Sequence, residues 1–231
     1  HEGSGFPPFP PCPWAHKTVS FILIFTATVA YFLPMHGRDE VCAVILAGGQ
    51  SRRMGTNKAL LEIGGRPLIR ILAEQLRPLT NQILISSNDV SSYAFLDLPV
   101  VPDRIPGQGP LSGFHAAMLY HESPLYVVLA CDLPNLTLPL LRRLIRLVEG
   151  FDAAIPRTSD GIAHPLCAVY RRSWLHAVEL ALARRANKVI ETFLEYGLLV
   201  RWVDPDEGNF KDTDLANINT PEDLRKLIGG P

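Results

Sequence analysis

A six-residue apolar run, Val41–Leu46 (VCAVIL), stops at Gly48-Gly49, and Arg52, Arg53 and Lys58 follow closely. A short β-branched run of this kind reads as a strand buried in a parallel sheet. Adjacent glycines directly after it let the backbone pass close to a ligand and aim N–H groups at it. A strand that ends in a cationic glycine turn points to an α/β sheet, whose ligands lie beyond the carboxyl ends of the strands.

The chain beyond this run alternates strand-like and helix-like segments. Strands are expected at residues 82–86 (QILIS), 100–101, 126–130 (YVVLA, the most apolar and therefore central), 152–155, 166–170 and 199–203. Helices are expected at residues 67–79, with Pro67 at the start, and at 113–121 and 139–149. Two more are expected at residues 173–184, capped by Ser173, and at 188–196. A last helix should start at Thr220-Pro221-Glu222-Asp223, with Thr220 as N-cap. The implied fold class is α/β: a three-layer α/β/α sandwich, Rossmann-like, around a mostly parallel sheet.

The first 34 residues are a different kind of sequence. They carry two formal charges, Glu2 and Lys17, and six of the chain's twenty prolines. Residues 1–13 are too rich in Pro and Gly for a helix or a central strand. Residues 19–33 form an uncharged apolar run, shorter than the roughly twenty residues a spanning helix needs. Three readings fit: a signal or anchor, an extension, or an upstream stretch with Met35 as the functional start. The third is favoured, so residues 1–36 are expected to lie outside the catalytic domain, and membrane contact is not expected.

Composition narrows the partners. Lysine plus arginine (22) nearly balance aspartate plus glutamate (23), so the chain has no basic field for nucleic acid. Cys12, Cys42, Cys131 and Cys167 are too widely spaced for a CxxC pair or a zinc ribbon. Cys42 and Cys131 sit in apolar runs, as small buried hydrophobes of a reducing compartment do.

The turn after the first strand is neither a Walker A loop nor GxGxxG. Its glycines, Arg52, Arg53 and Lys58 suit a triphosphate. The stretch Leu46-Ala47-Gly48-Gly49-Gln50-Ser51-Arg52-Arg53-Met54-Gly55, continuing to Lys58-Ala59-Leu60-Leu61, resembles the opening motif of the molybdenum cofactor guanylyltransferases. Further landmarks follow in the family's order: Asn88, Asp103, Gly109-Pro110-Leu111-Ser112-Gly113, Cys131-Asp132-Leu133-Pro134, His164-Pro165 and Asn217-Ile218-Asn219-Thr220. The resemblance covers about residues 41–228. It implies one nucleotidyltransferase domain over residues 37–231, of the nucleotide-diphospho-sugar transferase type.

The implied reaction transfers GMP from GTP to the terminal phosphate of Mo-molybdopterin and releases pyrophosphate, with Mg2+ as cofactor. Both reactants are anionic, so charge neutralisation and positioning are the main obstacles. Asp132, directly after the central strand, is the candidate metal ligand, since Mg2+ takes hard oxygens and keeps several waters. Arg53 and Lys58 would join it as catalytic residues by holding the β- and γ-phosphates. The resemblance assigns GTP to Leu46, Ala47, Gly48, Gly49, Lys58, Asn88, Asp103 and Asp132. A carboxylate at Asp103 could accept two hydrogen bonds from the guanine edge; it could equally bind ribose or metal. Asn88 could instead be a turn residue.

Molybdopterin is assigned to His164, Asn217 and Asn219. The two asparagines alternate by two, so an extended segment puts both on one face. Their amides suit a pterin edge or a metal-bound phosphate, whereas His164 could be purely structural. One position departs from the family: the aromatic usual two residues before the Asn-x-Asn element is Leu215 here, with Phe210 earlier in the chain. The resemblance also leaves room for partner proteins that deliver molybdopterin or mature molybdoenzymes, and it suits the cytoplasm.

Three other activities stay open at this point. One is the sister transfer from CTP, disfavoured because the cytidylyl relatives tend to carry Ala-Ala-Gly where this chain has Ala47-Gly48-Gly49. The others are sugar-1-phosphate nucleotidyl transfer and a non-catalytic nucleotide-binding module.

Overall fold

The apolar runs become strands and the striped segments become helices. The computed structural model describes residues 36–48, 57–186, 188–220 and 222–225. The Pro-rich and apolar head, the loop residues Gly49, Arg52, Arg53 and Gly55, and Pro221 lie outside the described residues. In chain order the strands are β1 (Val41–Leu46), β2 (Glu62–Ile63), β3 (Arg66–Pro67), β4 (Gln82–Ser86), β5 (Val100–Val101), β6 (Leu125–Ala130), β7 (Ala153–Pro156), β8 (Cys167–Arg171) and β9 (Val200–Val203). The helices are α1 (Leu68–Leu76), α2 (Pro110–Tyr120), α3 (Leu138–Leu147), α4 (Leu175–Ala183), α5 (Val189–Glu195) and the single turn α6 (Pro205–Gly208).

Seven strands form one sheet in the order β5-β4-β1-β6-β8-β7-β9, and β2 and β3 form a small separate hairpin. The strand expected to be central, β6, stands in the middle. It pairs in parallel with β1, which pairs in parallel with β4, as β4 does with β5. Strand β8 alone runs the other way, antiparallel to both β6 and β7, and β7 and β9 are parallel. The sheet is therefore mostly parallel. All its strands except β8 end at one edge, and β8 begins there.

Side chains of the strands alternate between two cores, as a sheet covered on both faces requires. Val41, Ala43, Ile45, Leu125, Val127 and Leu129 share one core with Leu68, Leu72 and Leu76 of α1 and Leu140, Leu141 and Leu144 of α3. Cys42, Val44, Tyr126 and Val128 share the other with Phe114, Ala117 and Met118 of α2 and Val178, Ala181 and Leu182 of α4. Each fully buried leucine or valine stabilises the fold by about 1.5–3 kcal/mol relative to exposure. This is the three-layer sandwich.

Two local expectations need correction. Helix α2 starts three residues early, at Pro110, because Gly109 takes a backbone conformation open mainly to glycine (φ 66°, ψ −151°) and Pro110 suits the first helical turn. Ser173 does not cap α4. It lies inside a 3-10 turn, Arg172–Trp174, and its hydroxyl donates to Asp152 Oδ1 at 2.7 Å; α4 begins at Leu175. No described helix is long and apolar enough to cross a membrane.

Candidate active site

The parallel half of the sheet sets the first part of the site. The backbone ladder continues one residue past the strand ends: Ala47 N donates to Ser86 O (2.9 Å), Ser87 N to Val101 O (3.0 Å) and Cys131 N to Leu46 O (3.2 Å). The residues just beyond, Gly48, Asn88, Asp103 and Asp132, are therefore held at one edge. Helix α2 presses on this edge at Gly113. A Cβ there would lie 2.2 Å from Ser86 Oγ and 3.2 Å from both Ser86 Cβ and Leu46 Cδ2.

Lys58 reaches the same edge from a separate turn. Asn57 caps the 3-10 segment Lys58–Leu60, its Oδ1 accepting from Ala59 N at 3.1 Å, while Ala59 is fully buried. That anchor directs the Lys58 ammonium to Asp132 Oδ2 at 3.1 Å and to Asn219 Oδ1 at 2.8 Å. Both partners of the ion pair are largely shielded, with 17% and 14% of their side chains exposed. The second carboxylate oxygen, Asp132 Oδ1, is buried without a hydrogen-bond partner among the described residues. A buried, unpartnered carboxylate oxygen is costly unless something cationic or donating reaches it. A hard cation such as Mg2+ meets that need. Among the described residues there is no cluster of three or more His, Cys, Asp or Glu that could hold a metal ion, so Asp132 would be supplemented by ligand oxygens and water.

Asn88 and Asp103 come together across the ends of β4 and β5. Asn88 Nδ2 donates to Asp103 Oδ2 (3.1 Å), and Asp103 N donates to Asn88 Oδ1 (2.9 Å). Asn88 thus does serve as a turn-holding residue. The same two bonds fix the orientation of the Asp103 carboxylate.

Tyr93 was not singled out by sequence. It is fully buried in the 3-10 segment Ser91–Leu96. Its hydroxyl donates to Ala47 O at 3.1 Å and accepts from Asn57 Nδ2 at 2.8 Å. One phenol therefore joins Ala47, just after β1, to Asn57, just before Lys58. Burial pushes its pKa above the ordinary value, so the hydroxyl keeps the proton it donates. A lone Tyr in a Ser-Ser-Tyr stretch gives no sequence signal for such a role.

The three residues assigned to molybdopterin also converge. His164, Asn217 and Asn219 line one open cleft of about 400 Å³, together with Thr158, Asp160, Ile162, Asp212, Leu215 and Ala216. The asparagines alternate as expected. Ile218 between them is buried, and its N–H donates to Asp132 O at 2.9 Å, tying this segment to the end of β6. Thr220 caps the final turn: its Oγ1 accepts from Asp223 N (3.1 Å), and Asp223 Oδ2 accepts from Thr220 N (2.8 Å). Leu215 is buried at the cleft wall, where the family usually has its aromatic. Phe210 does not take its place, because it lies in the core against Gly208.

Sequence reasoning missed Thr158, Asp160 and Asp212. They come from the turn after β7 and the segment after α6, which carry no local motif. Asp212 Oδ1 accepts from Ser159 N at 3.0 Å, joining the two sides of the cleft. Burial lowers the His164 pKa, a shift opposed by Asp160 and then Asp212, so the ring is neutral at pH 7. Hydrogen bonding from Thr158 chiefly keeps the Asp160 carboxyl below the usual range. Burial raises the Cys42 and Cys167 thiols to about 12, so neither is a nucleophile.

Known proteins of similar sequence and fold identify the family. The sequence model of the MobA-like NTP transferase domain matches residues 43–197. A "probable molybdenum cofactor guanylyltransferase" of Carboxydothermus hydrogenoformans is 38% identical, over 82% of this chain and 96% of its own. A protein of the same name from Pelotomaculum thermopropionicum is 40% identical, over 81% and 91%. The crystal structure of molybdopterin-guanine dinucleotide biosynthesis protein A from Archaeoglobus fulgidus superposes with a TM-score of 0.69 and 28% identity. It covers 81% of this chain and 96% of that one.

Proposed function

Because the chain belongs to the family of MobA-like NTP transferase domains, we propose that it transfers GMP from GTP to the terminal phosphate of Mo-molybdopterin. It is a nucleotidyltransferase of the nucleotide-diphospho-sugar transferase fold. A phosphate oxygen of molybdopterin forms the new bond to the α-phosphorus of GTP. The bond from that phosphorus to the bridging oxygen breaks, and pyrophosphate leaves with the electron pair.

The observation that carries the reading is the Lys58–Asp132 pair at the end of the central strand, with Asp132 Oδ1 still unpartnered among the described residues. Lys58 would neutralise the β- and γ-phosphates as they depart. Asp132 would hold Mg2+, which supplies charge neutralisation at the phosphates when bound. Gly48 offers bare backbone to the nucleotide beside β4. Asp103, oriented by Asn88, would accept from the N1–H and N2–H edge of guanine. His164, Asn217 and Asn219 would hold molybdopterin in the cleft that adjoins Lys58. Gly49 and Arg53 are assigned to GTP and its phosphates on the motif alone.

The active portion is residues 37–231, and a cytoplasm supplying GTP, Mg2+ and reducing conditions suits a chain with Cys42 and Cys167 buried and free. Nucleic acid and membrane are not expected partners, whereas proteins that deliver molybdopterin or accept its dinucleotide are. Incubation with GTP, Mg2+ and Mo-molybdopterin should yield the guanine dinucleotide and one pyrophosphate. Folded protein that makes no product would overturn the reading. A melting panel over the nucleoside triphosphates should show GTP raising Tm most; a larger rise with CTP would transfer the reading to the cytidylyl reaction.

A further inference from the structure

Asn219 touches both halves of the site. Its Oδ1 accepts from Lys58 Nζ at 2.8 Å, and the same ammonium contacts Asp132 Oδ2 at 3.1 Å. Asn219 also lines the open cleft. Its backbone is pinned on both sides: Ile218 N donates to Asp132 O at 2.9 Å before it, Thr220 N donates to Asp223 Oδ2 at 2.8 Å after it, and Asn219 N itself donates to Asp223 Oδ2 at 2.9 Å. A lysine ammonium only donates, so the amide must turn its oxygen toward Lys58. The NH2 group is then what remains for a ligand, and it can only donate. Such a group suits a phosphate oxygen and does not suit the donor edge of a pterin ring.

We propose that Asn219 is a positioning residue that acts on both substrates at once. Its oxygen holds the Lys58 ammonium beside Asp132 before nucleotide arrives, and its NH2 receives the phosphate of the acceptor. Without that hold, Lys58 must lose its side-chain freedom when nucleotide binds, which weakens binding. Because one amide serves both sites, occupancy of either favours the other by the same factor. The inference rests on the reading that Lys58 binds nucleotide phosphate and that the cleft takes the acceptor.

The test measures GTP binding without acceptor, by calorimetry, in the full chain. Asn219→Ala should weaken this binary complex roughly 3- to 10-fold, the range that ordering one long side chain would give. Asn217 lines the same cleft, while among the described residues the Lys58 ammonium bonds to Asp132 and Asn219, so Asn217→Ala should raise only the KM for molybdopterin. With the α,β-methylene analogue of GTP, which cannot transfer its nucleotidyl group, molybdopterin should tighten analogue binding in wild type and not in Asn219→Ala. Circular dichroism and Tm check that each variant is folded. Equal GTP affinity in wild type and folded Asn219→Ala would overturn the inference while leaving the guanylyl reading intact. If wild type instead binds CTP, the guanylyl reading fails, and the same comparison run with CTP still decides the role of Asn219.

Discussion

The two sides of strand β6 build their parts of the site differently. On the β1–β4–β5 side every strand is parallel, and the functional residues stand directly after strand ends whose ladder continues one residue further. Gly48, Asn88, Asp103 and Asp132 each stand within two residues of a backbone bond of that ladder. On the β8–β7–β9 side the strand next to β6 is reversed. The cleft residues there come from the turn between β7 and β8 and from residues 211–219, and Asp160, Asp212, Asn217 and Asn219 are all exposed. The first side is set by the sheet's own backbone hydrogen bonds, and the second is an open cleft of about 400 Å³ crossed by a side-chain bond between loops.

If that contrast is right, the largest loss comes from the rigid side. Asp132→Ala should cut turnover by at least about 10²–10³-fold, the range seen when one preorganised charge-stabilising group is removed. Tm should fall modestly, since the variant removes the unpartnered carboxylate oxygen but leaves the shielded Lys58 ammonium without its counter-ion. Normal turnover by a folded Asp132→Ala enzyme would remove Asp132 from the chemistry, and the two sides would no longer differ in importance.

Tyr93→Phe comes next. It keeps the buried ring and deletes the hydroxyl that joins Ala47 to Asn57. Leaving buried groups unpaired costs about 1–3 kcal/mol. Part of that cost should appear in Tm and part as a raised KM for GTP, with the KM for molybdopterin unmoved. A change confined to Tm would mean that the phenol is only a packing group.

The rigid side was also the legible side. Residues that follow an apolar run are adjacent in sequence to the strands that place them, so the strand-end positions of Leu46, Ala47, Gly48, Asn88, Asp103 and Asp132 could be read along the chain, whereas the nucleotide roles expected of Leu46 to Gly49, Asn88 and Asp103 came from the motif resemblance. Tyr93 was not legible, because its role depends on two backbone ends brought together only by the fold. The same holds for Asp212, whose meaning is its bond to Ser159, 53 residues earlier. The cleft asparagines were found through motif resemblance and their alternation. The contact of Asn219 with Lys58, 161 residues away, was not. The reversed strand β8 escaped notice because an apolar run carries no mark of direction.

Asp212→Ala probes the open side with a smaller effect. It removes one exposed bond across the cleft, worth about 0.5–1.5 kcal/mol. The KM for molybdopterin should rise about 2- to 10-fold on that scale, while the GTP affinity measured without acceptor stays at the wild-type value. A matching loss of GTP affinity would show that the two sides are one rigid unit.

The smallest effect is a pH dependence, and it tests how closed the cleft is around His164. In an unfolded chain the imidazole titrates near 6.5. In the fold, burial holds it lower, against the opposing pull of Asp160 and Asp212. Between the folded value and about 6.5 the unfolded chain therefore binds more protons, so stability rises with pH in that window. As the pH falls from 7 to 5, the protein should lose stability through this window, and the contribution is complete once the pH passes below the folded value. His115 is lowered by burial too and adds a change of the same sign, so His164→Gln should flatten the Tm-against-pH curve only in part. Superimposable curves for wild type and His164→Gln would mean the ring is solvated in the folded protein. The cleft wall would then offer molybdopterin a hydrated imidazole in place of a desolvated one, and the open side would be more open than its lining suggests.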